Sequence, residues 1–85
     1  MYKVDVGLKA GKFIRKQDAL IQQQIIRKLR ELETDPRPHG CKRLQGKKIL
    51  YRIRTGDYRI IYTIKDNQLL VLVVQIGHRR DVYRK

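Results

Sequence analysis

The chain has 85 residues, one cysteine and a formal net charge of +13, from 21 basic and 8 acidic side chains. A chain of this length forms one small domain, and a single cysteine, Cys41, excludes an internal disulfide and fits a reducing compartment such as the cytoplasm. A charge this far from zero attracts polyanions, so nucleic acid, an anionic membrane and an acidic protein are the candidate partners.

The first half of the chain predicts one strand followed by two helices. Residues 2–6 alternate apolar with polar side chains, which is typical of a short half-buried strand. A short helix then ends before Asp18, and Asp18 is a suitable N-cap for a longer helix. We expect that helix to stop at Thr34, because Pro36 disfavours helical geometry in the residue before it. Its apolar stripe comprises Ile21, Ile25, Leu29 and Leu32.

The second half predicts a loop and then three antiparallel strands. Residues 36–46 contain two prolines and two glycines, and we expect no regular structure there. The strands follow at 48–54, 58–65 and 69–76, joined by turns at 56–57 and 66–67. The last strand is apolar on both sides, which predicts a central strand covered by this chain on two faces, or by this chain and a partner.

A membrane is the least favoured partner. The longest uncharged apolar stretch, residues 69–76, is too short to span a bilayer as a helix. Lysines and an aspartate interrupt the N-terminus, unlike a signal peptide. The most basic region is predicted to form strands and turns rather than an amphipathic helix.

Alternation along the strands predicts which side chains share a face of the sheet. With a two-residue turn at 56–57, the basic side chains of one face are Arg52, Arg54 and Arg59. A second two-residue turn at 66–67 pairs Arg59 with Val74 and places Ile76 and His78 on that face too. A single β-bulge would reverse part of this assignment, because a one-residue slip turns the following side chains over.

This combination of side chains suits RNA cleavage without a metal. The reaction needs a base for the 2′-hydroxyl, cations for the charge that grows on phosphate, and an acid for the departing 5′-oxygen. A guanidinium group binds two phosphate oxygens and stays charged, whereas an imidazole can exchange a proton. A phenol such as Tyr83 can stack on a base. The same arginines would also fit a solvated outer strand face.

Other chemistry has less support in the sequence. Asp57, Asp66 and Asp81 are single residues in or beside turns, so a two-metal site is not expected. The two histidines have no carboxylate or thiol at ligand spacing, and the chain contains no serine nucleophile. We expect His39, in a Pro-His-Gly loop, to be a surface residue.

Two motifs resemble those of a known family. They are Tyr-Arg-Ile-Arg-x-Gly-Asp-Tyr-Arg-Ile-Ile-Tyr at 51–62, preceded by Leu44-x-Gly46, and Ile-Gly-His-Arg-Arg-Asp-Val-Tyr at 76–83. Together with the order of elements they resemble the RelE/ParE superfamily of bacterial and archaeal toxins over nearly the whole chain. The resemblance implies a compact single α+β domain over 1–85. Its N-terminal strand and two helices would pack on one face of a twisted, mainly antiparallel sheet in the order β-α-α-β-β-β.

The resemblance also implies a function and partners. It implies a cytoplasmic toxin of a type II toxin–antitoxin system, a ribosome-dependent endoribonuclease that cleaves mRNA in the A site without a metal or cofactor. The implied partners are a cognate acidic antitoxin and mRNA on the ribosome, with operator DNA bound only through the antitoxin complex. A ParE-like inhibitor of DNA gyrase without nuclease chemistry is the alternative, followed by a basic module that only binds nucleic acid.

By motif position the resemblance implies a set of site residues. The catalytic set comprises Arg52, Arg54, Arg59, His78, Arg79 and Tyr83. Further RNA-binding charge is expected from Lys47, Lys48, Arg80 and Arg84. Some relatives have lysine at positions 52 and 54, where it can act as base. With arginine there, either His78 takes the proton, or the arginines mainly stabilise charge and the ribosome assists.

Overall fold

The computed structural model describes residues 1–78 of the chain. Their elements are β1 (Lys3–Val6), α1 (Leu8–Arg15), α2 (Ala19–Thr34), β2 (Lys42–Leu44), β3 (Leu50–Thr55), β4 (Tyr58–Lys65) and β5 (Leu70–His78). The strands form one five-stranded sheet in the spatial order β1-β5-β4-β3-β2. β1 runs parallel to β5, and the other neighbours are antiparallel. The predicted α+β fold is confirmed, with β2 as an additional short strand inside the predicted loop.

Helix α2 begins and ends where local signals predict. Asp18 has an extended backbone, and its side chain accepts a hydrogen bond from the Ile21 N–H at 3.1 Å. Asp35 is again extended, as expected for a residue that precedes proline. The buried residues of the helix are Ile25, Leu29 and Leu32. The Asp18 cap and Pro36 therefore determine the two ends of this helix, and the periodicity of its apolar residues determines its packed face.

The hydrophobic core lies between the two helices and one face of the sheet, which we call the helix face. Its largest fully buried side chains are Tyr62, Ile25, Leu32, Ile60, Val71 and Val73. The Tyr62 hydroxyl donates to the Pro36 carbonyl oxygen at 2.8 Å, so this buried polar group is satisfied. Burial raises the pKa of Tyr62 well above its ordinary value. The Tyr51 ring stacks on Tyr62 at 5.8 Å, as a packing tyrosine rather than a platform for bases.

The β3–β4 hairpin has the predicted register. Residues 56–57 form a two-residue turn, and Gly56 has a φ of 60°, a value that glycine adopts without strain. The paired residues are Thr55 with Tyr58, Ile53 with Ile60 and Tyr51 with Tyr62. The predicted sharing of one face by Arg52, Arg54 and Arg59 follows from this register.

The β4–β5 pairing differs from the prediction in two ways. The connecting loop is longer than two residues, because a 3-10 turn at Asp66–Gln68 is followed by Leu69 in the left-handed region, with a φ of 51°. A register shift between Ile61 and Tyr62 then inserts one extra residue into β5. As a result Arg59 lies opposite Gly77 and not Val74. The predicted placement of Ile76 and His78 on the arginine side of the sheet is therefore wrong, because the bulge turns both to the helix face.

Candidate nucleic-acid interface

The sheet face opposite to the helices carries a group of neighbouring basic side chains. Arg54 lies directly across from Arg59, and Arg52 lies between Lys42 and Ile61. Side chains directly opposed in an antiparallel pair have Cβ atoms about 4.5–5.5 Å apart. The three arginines therefore form a continuous cationic surface, which we call the arginine face, and Lys42 lies beside it on the edge strand β2.

The three arginines differ in exposure. Arg52 and Arg59 are each only 6% exposed, whereas Arg54 is exposed. Burial restricts both side chains and extends to the Arg52 Nε and the Arg59 Nε and Nη1 atoms, so little conformational freedom remains for them to lose when an anion binds. Gly77, opposite Arg59, places no side chain beside that guanidinium group. The arginine face thus combines fixed cations with one exposed cation.

A cleft of about 340 Å³ adjoins the arginine face at the β2–β3 edge. It is lined by Lys28, His39, Gly40, Lys42, Arg52, Ile53 and Arg54. Among these described residues four are cationic and none is acidic, so the cleft, which we call the edge cleft, suits an anion. His39 is exposed as predicted, but its position beside Arg52 and Arg54 was missed, and so were Lys28 and Lys42. One local feature of the sequence indicates a strand here, the lysine-arginine-leucine alternation of β2.

The loop that carries His39 is anchored by Arg37. The Arg37 guanidinium donates to both carboxylate oxygens of Asp66, at 3.1 and 2.9 Å, and lies 5.4 Å from the centre of the Tyr51 ring. The Tyr2 hydroxyl donates to the same carboxylate at 2.7 Å. Hydrogen bonds from Arg37, and secondly from Tyr2, lower the pKa of Asp66 to about 2. The start of the loop is therefore fixed to the β4–β5 hairpin and to the N-terminus.

His78 packs on the helix face rather than beside the arginines. It lies opposite Tyr58, and the two rings meet edge to face with centroids 5.7 Å apart. Tyr58 in turn contacts Phe13 of α1, with ring centroids 5.9 Å apart. The imidazole is thus part of an aromatic cluster on the side of the sheet that faces the helices.

The remaining predicted site residues are either exposed or not described. Lys47 and Lys48 are exposed in the loop before β3. Arg79, Arg80, Tyr83 and Arg84 lie outside the described residues. Within residues 1–78, no group of three or more His, Cys, Asp or Glu side chains could hold a metal ion. No helix in that part of the chain is long and apolar enough to cross a membrane.

An apolar surface continues the arginine face toward the β4–β5 loop. Leu70, Leu72 and Val74 are half-buried there, and Ile49, 54% exposed, borders them. A second cleft, of about 570 Å³, includes Ile49, Leu72 and Val74 in its lining. The strand predicted to be apolar on both sides contributes only part of its side chains to this surface, because Ile76 belongs to the core. Ile61 on the neighbouring strand is buried as well.

Comparisons with known proteins agree with one another. A family model described as "ParE toxin of type II toxin-antitoxin system, parDE" matches residues 8–83. The "Putative RelE-like toxin protein" of Escherichia coli is 37% identical over an alignment of 86 positions, which covers 96% of this chain and 90% of the relative. The "mRNA interferase toxin RelE" of E. coli strain K12 is 33% identical with the same coverage. In the solved E. coli RelBE toxin–antitoxin complex, a chain with 30% identity superposes with a TM-score of 0.79, covering 92% of this chain and 96% of that chain.

Proposed function

Because the chain belongs to the ParE toxin family of type II toxin–antitoxin systems, within the RelE/ParE superfamily, we propose that it is a RelE-like mRNA interferase. Its substrate is mRNA on the ribosome, cut in the A site. Cleavage of the message halts translation. The observation that carries this proposal is the set of Arg52, Arg54 and Arg59 on one face of the sheet, with Arg54 directly opposite Arg59.

The arginines act on the phosphodiester by charge stabilisation. The 2′-oxygen loses its proton and bonds to the adjacent phosphorus, while the bond from phosphorus to the 5′-oxygen breaks and that oxygen takes up a proton. Negative charge grows on the two non-bridging oxygens during this step, and guanidinium groups already positioned there lower its energy. This mechanism needs no metal ion, and that the reaction is independent of metal is a prediction.

The proton acceptor is not assigned to His78. Its imidazole lies on the helix face against Tyr58, on the opposite side of the sheet from Arg52 and Arg54. Arginine stays protonated and is a poor base. This favours the second expectation from the sequence, in which the arginines stabilise charge and the ribosome assists proton transfer. By motif position, Arg79 completes the phosphate site and Tyr83 stacks on a base.

The central test is cleavage of translated messages in bacteria. Expression of the chain should arrest growth and produce new 5′ ends, mapped by primer extension. Arg54→Ala should lower the cleavage rate by about 10²–10³-fold, the effect of removing one positioned donor to a developing oxyanion. Arg54 is exposed, so the variant should fold. Lys9→Ala removes an exposed charge on α1 and should cleave like the parent. Growth arrest without new 5′ ends would contradict the proposal.

The proposed partner is a cognate acidic antitoxin. The net charge of +13 and the apolar surface around Ile49, Leu72 and Val74 suit an acidic amphipathic segment that folds on contact. The RelBE complex offers a precedent for the pairing of such a fold with an antitoxin.

Other basic residues are proposed to add attraction for RNA, namely Lys47, Lys48, Arg80 and Arg84. Operator DNA is proposed to be bound only through the antitoxin complex.

A second candidate function follows from the matched family description, which names ParE. A ParE-like toxin would inhibit DNA gyrase through protein contacts and would not need a cluster of arginines. Induction of the DNA-damage response with intact messages would favour this alternative. The similarity to RelE-like relatives, one of which is named an mRNA interferase, favours the ribonuclease.

A further inference from the structure

We propose that the edge cleft is a second phosphate subsite, which holds the nucleotide adjacent to the one on the arginine face. This inference rests on the proposed function, since it takes single-stranded RNA as the ligand. Arg52 and Arg54 line both surfaces, and they lie two residues apart on one strand, about 6.7 Å along its axis. A strand of RNA leaving the arginine face over the β2–β3 edge would therefore meet cations without interruption.

Two lysines supply the additional charge of the subsite. Lys42 is exposed on β2 and lies opposite Arg52. Lys28 reaches the cleft from α2, and its ammonium group is held by Glu31 at 3.0 Å. An ammonium group has three donors, so one bond to Glu31 leaves two for phosphate oxygens. The salt bridge thus holds the Lys28 ammonium group in place and leaves two of its three donors for a ligand.

The wall of the cleft is a loop with a fixed shape. Its start is held by the bond from Tyr62 to the Pro36 carbonyl and by the Arg37–Asp66 ion pair. Its end is held by pairing of β2 with β3. Between them Gly40 has a φ of 93°, where a side chain would be strained. His39 at the tip is therefore carried by a backbone that is anchored on both sides, and its exposed ring can stack on an unpaired base.

The test measures binding without cleavage. The full chain is titrated with uridine oligonucleotides of two and five residues that carry 2′-O-methyl groups, so the attacking hydroxyl is absent. For the longer oligonucleotide, the Lys28→Ala/Lys42→Ala variant should reduce the slope of log K against log salt by about 1.4, since each phosphate contact of a single strand contributes about 0.7. The dinucleotide, with one phosphate, should bind the variant and the parent alike.

Matched variants separate a subsite from general attraction. Lys9→Ala/Lys12→Ala removes the same charge from exposed positions on α1 and should leave the slope for the longer oligonucleotide within about 0.3 of the parent. His39→Ala should weaken binding of the longer oligonucleotide about tenfold, as expected for the loss of one stacked base, and His39→Phe should restore it. If Lys9→Ala/Lys12→Ala reduces the slope of log K against log salt as much as Lys28→Ala/Lys42→Ala does, the proposal of a subsite is overturned.

The remaining outcomes distinguish this inference from the proposed function. If the parent binds RNA with the expected slope but does not cleave ribosome-bound messages, the ribonuclease proposal fails and the subsite stands. If the parent cleaves but the Lys28→Ala/Lys42→Ala variant keeps the parental slope, the subsite fails alone. A further outcome is that the same variant keeps the parental slope of log K against log salt for RNA and binds an acidic peptide more weakly. That result would identify the cleft as a protein-docking surface and overturn the inference.

Discussion

At the residue scale, the carboxylate of Asp66 is held by partners from distant parts of the chain. Arg37 and Tyr2 both donate to it, and they lie 29 and 64 residues away in sequence. The sequence predicts Asp66 as a turn residue and contains no signal for either contact. The ion pair matters to the site because it holds the start of the loop that carries His39.

The low pKa of Asp66 predicts how stability changes with pH. Its pKa is about 2 in the folded chain against an ordinary value of 3.8, so the unfolded chain binds the proton more readily. The stabilisation from this carboxylate is therefore complete above about pH 4–5 and is lost as the pH falls toward 2. Asp66→Asn should lower the melting temperature at pH 7, and its difference from the parent should narrow at pH 2–3.

Circular dichroism melts between pH 2 and 7 check this expectation. Asp57→Asn makes the same change of charge in the exposed turn of the other hairpin, away from Arg37. At pH 7, Asp57→Asn should change the melting temperature less than Asp66→Asn does. A difference between Asp66→Asn and the parent that stays constant with pH would show that the carboxylate charge does not stabilise the loop.

At the element scale, the N-terminus of α2 depends on one side chain. The Asp18 carboxylate caps the helix by accepting a hydrogen bond from the Ile21 N–H. Asp18→Ala should reduce the free energy of unfolding by about 1 kcal/mol, the usual cost of losing an N-cap acceptor. Asp18→Ser, which keeps an acceptor, should recover most of it. Urea denaturation measures both, and equal stability of the alanine variant and the parent would contradict the assignment.

The elements differ in how far local sequence predicts them. Helix α2 and the β3–β4 hairpin carry their own signals, a cap with a periodic apolar stripe and a glycine-aspartate turn. Strand β2 has three residues between a proline-rich loop and a glycine, so it becomes a strand only because β3 offers an edge to pair with. The bulge in β5 likewise has no local signature. It aligns Ile76 with Ile60 and Val73 with Tyr62, which brings all four into the core.

At the scale of the whole molecule, positive charge and an apolar surface lie side by side, and the two expected partners would use them to different extents. RNA requires mainly the cations, whereas an acidic antitoxin would also cover Ile49, Leu72 and Val74. This difference makes the two partners separable by mutation. Ile49 is 54% exposed, so a polar side chain there should not disturb the core.

We therefore expect the proposed acidic antitoxin to stabilise the chain. At 100 times the dissociation constant, a ligand that binds only the folded state adds about 2.7 kcal/mol, seen as a higher melting temperature. Ile49→Ser should reduce this shift and leave binding of the RNA oligonucleotides unchanged. A polyglutamate of equal charge serves as the control. An equal shift with polyglutamate would mean that charge alone drives the association.

Local features of the sequence are enough to predict the fold class, helix α2 and the β3–β4 register. The sharing of one face by Arg52, Arg54 and Arg59 follows from that register. These features follow from caps, periodicity and turn residues, which act over a few neighbouring positions. Two features become visible only in the folded chain: the position of His78, and the edge cleft that Lys28, His39 and Lys42 line together. Both depend on pairing between distant segments, and a single extra residue in β5 was enough to move His78 to the other side of the sheet.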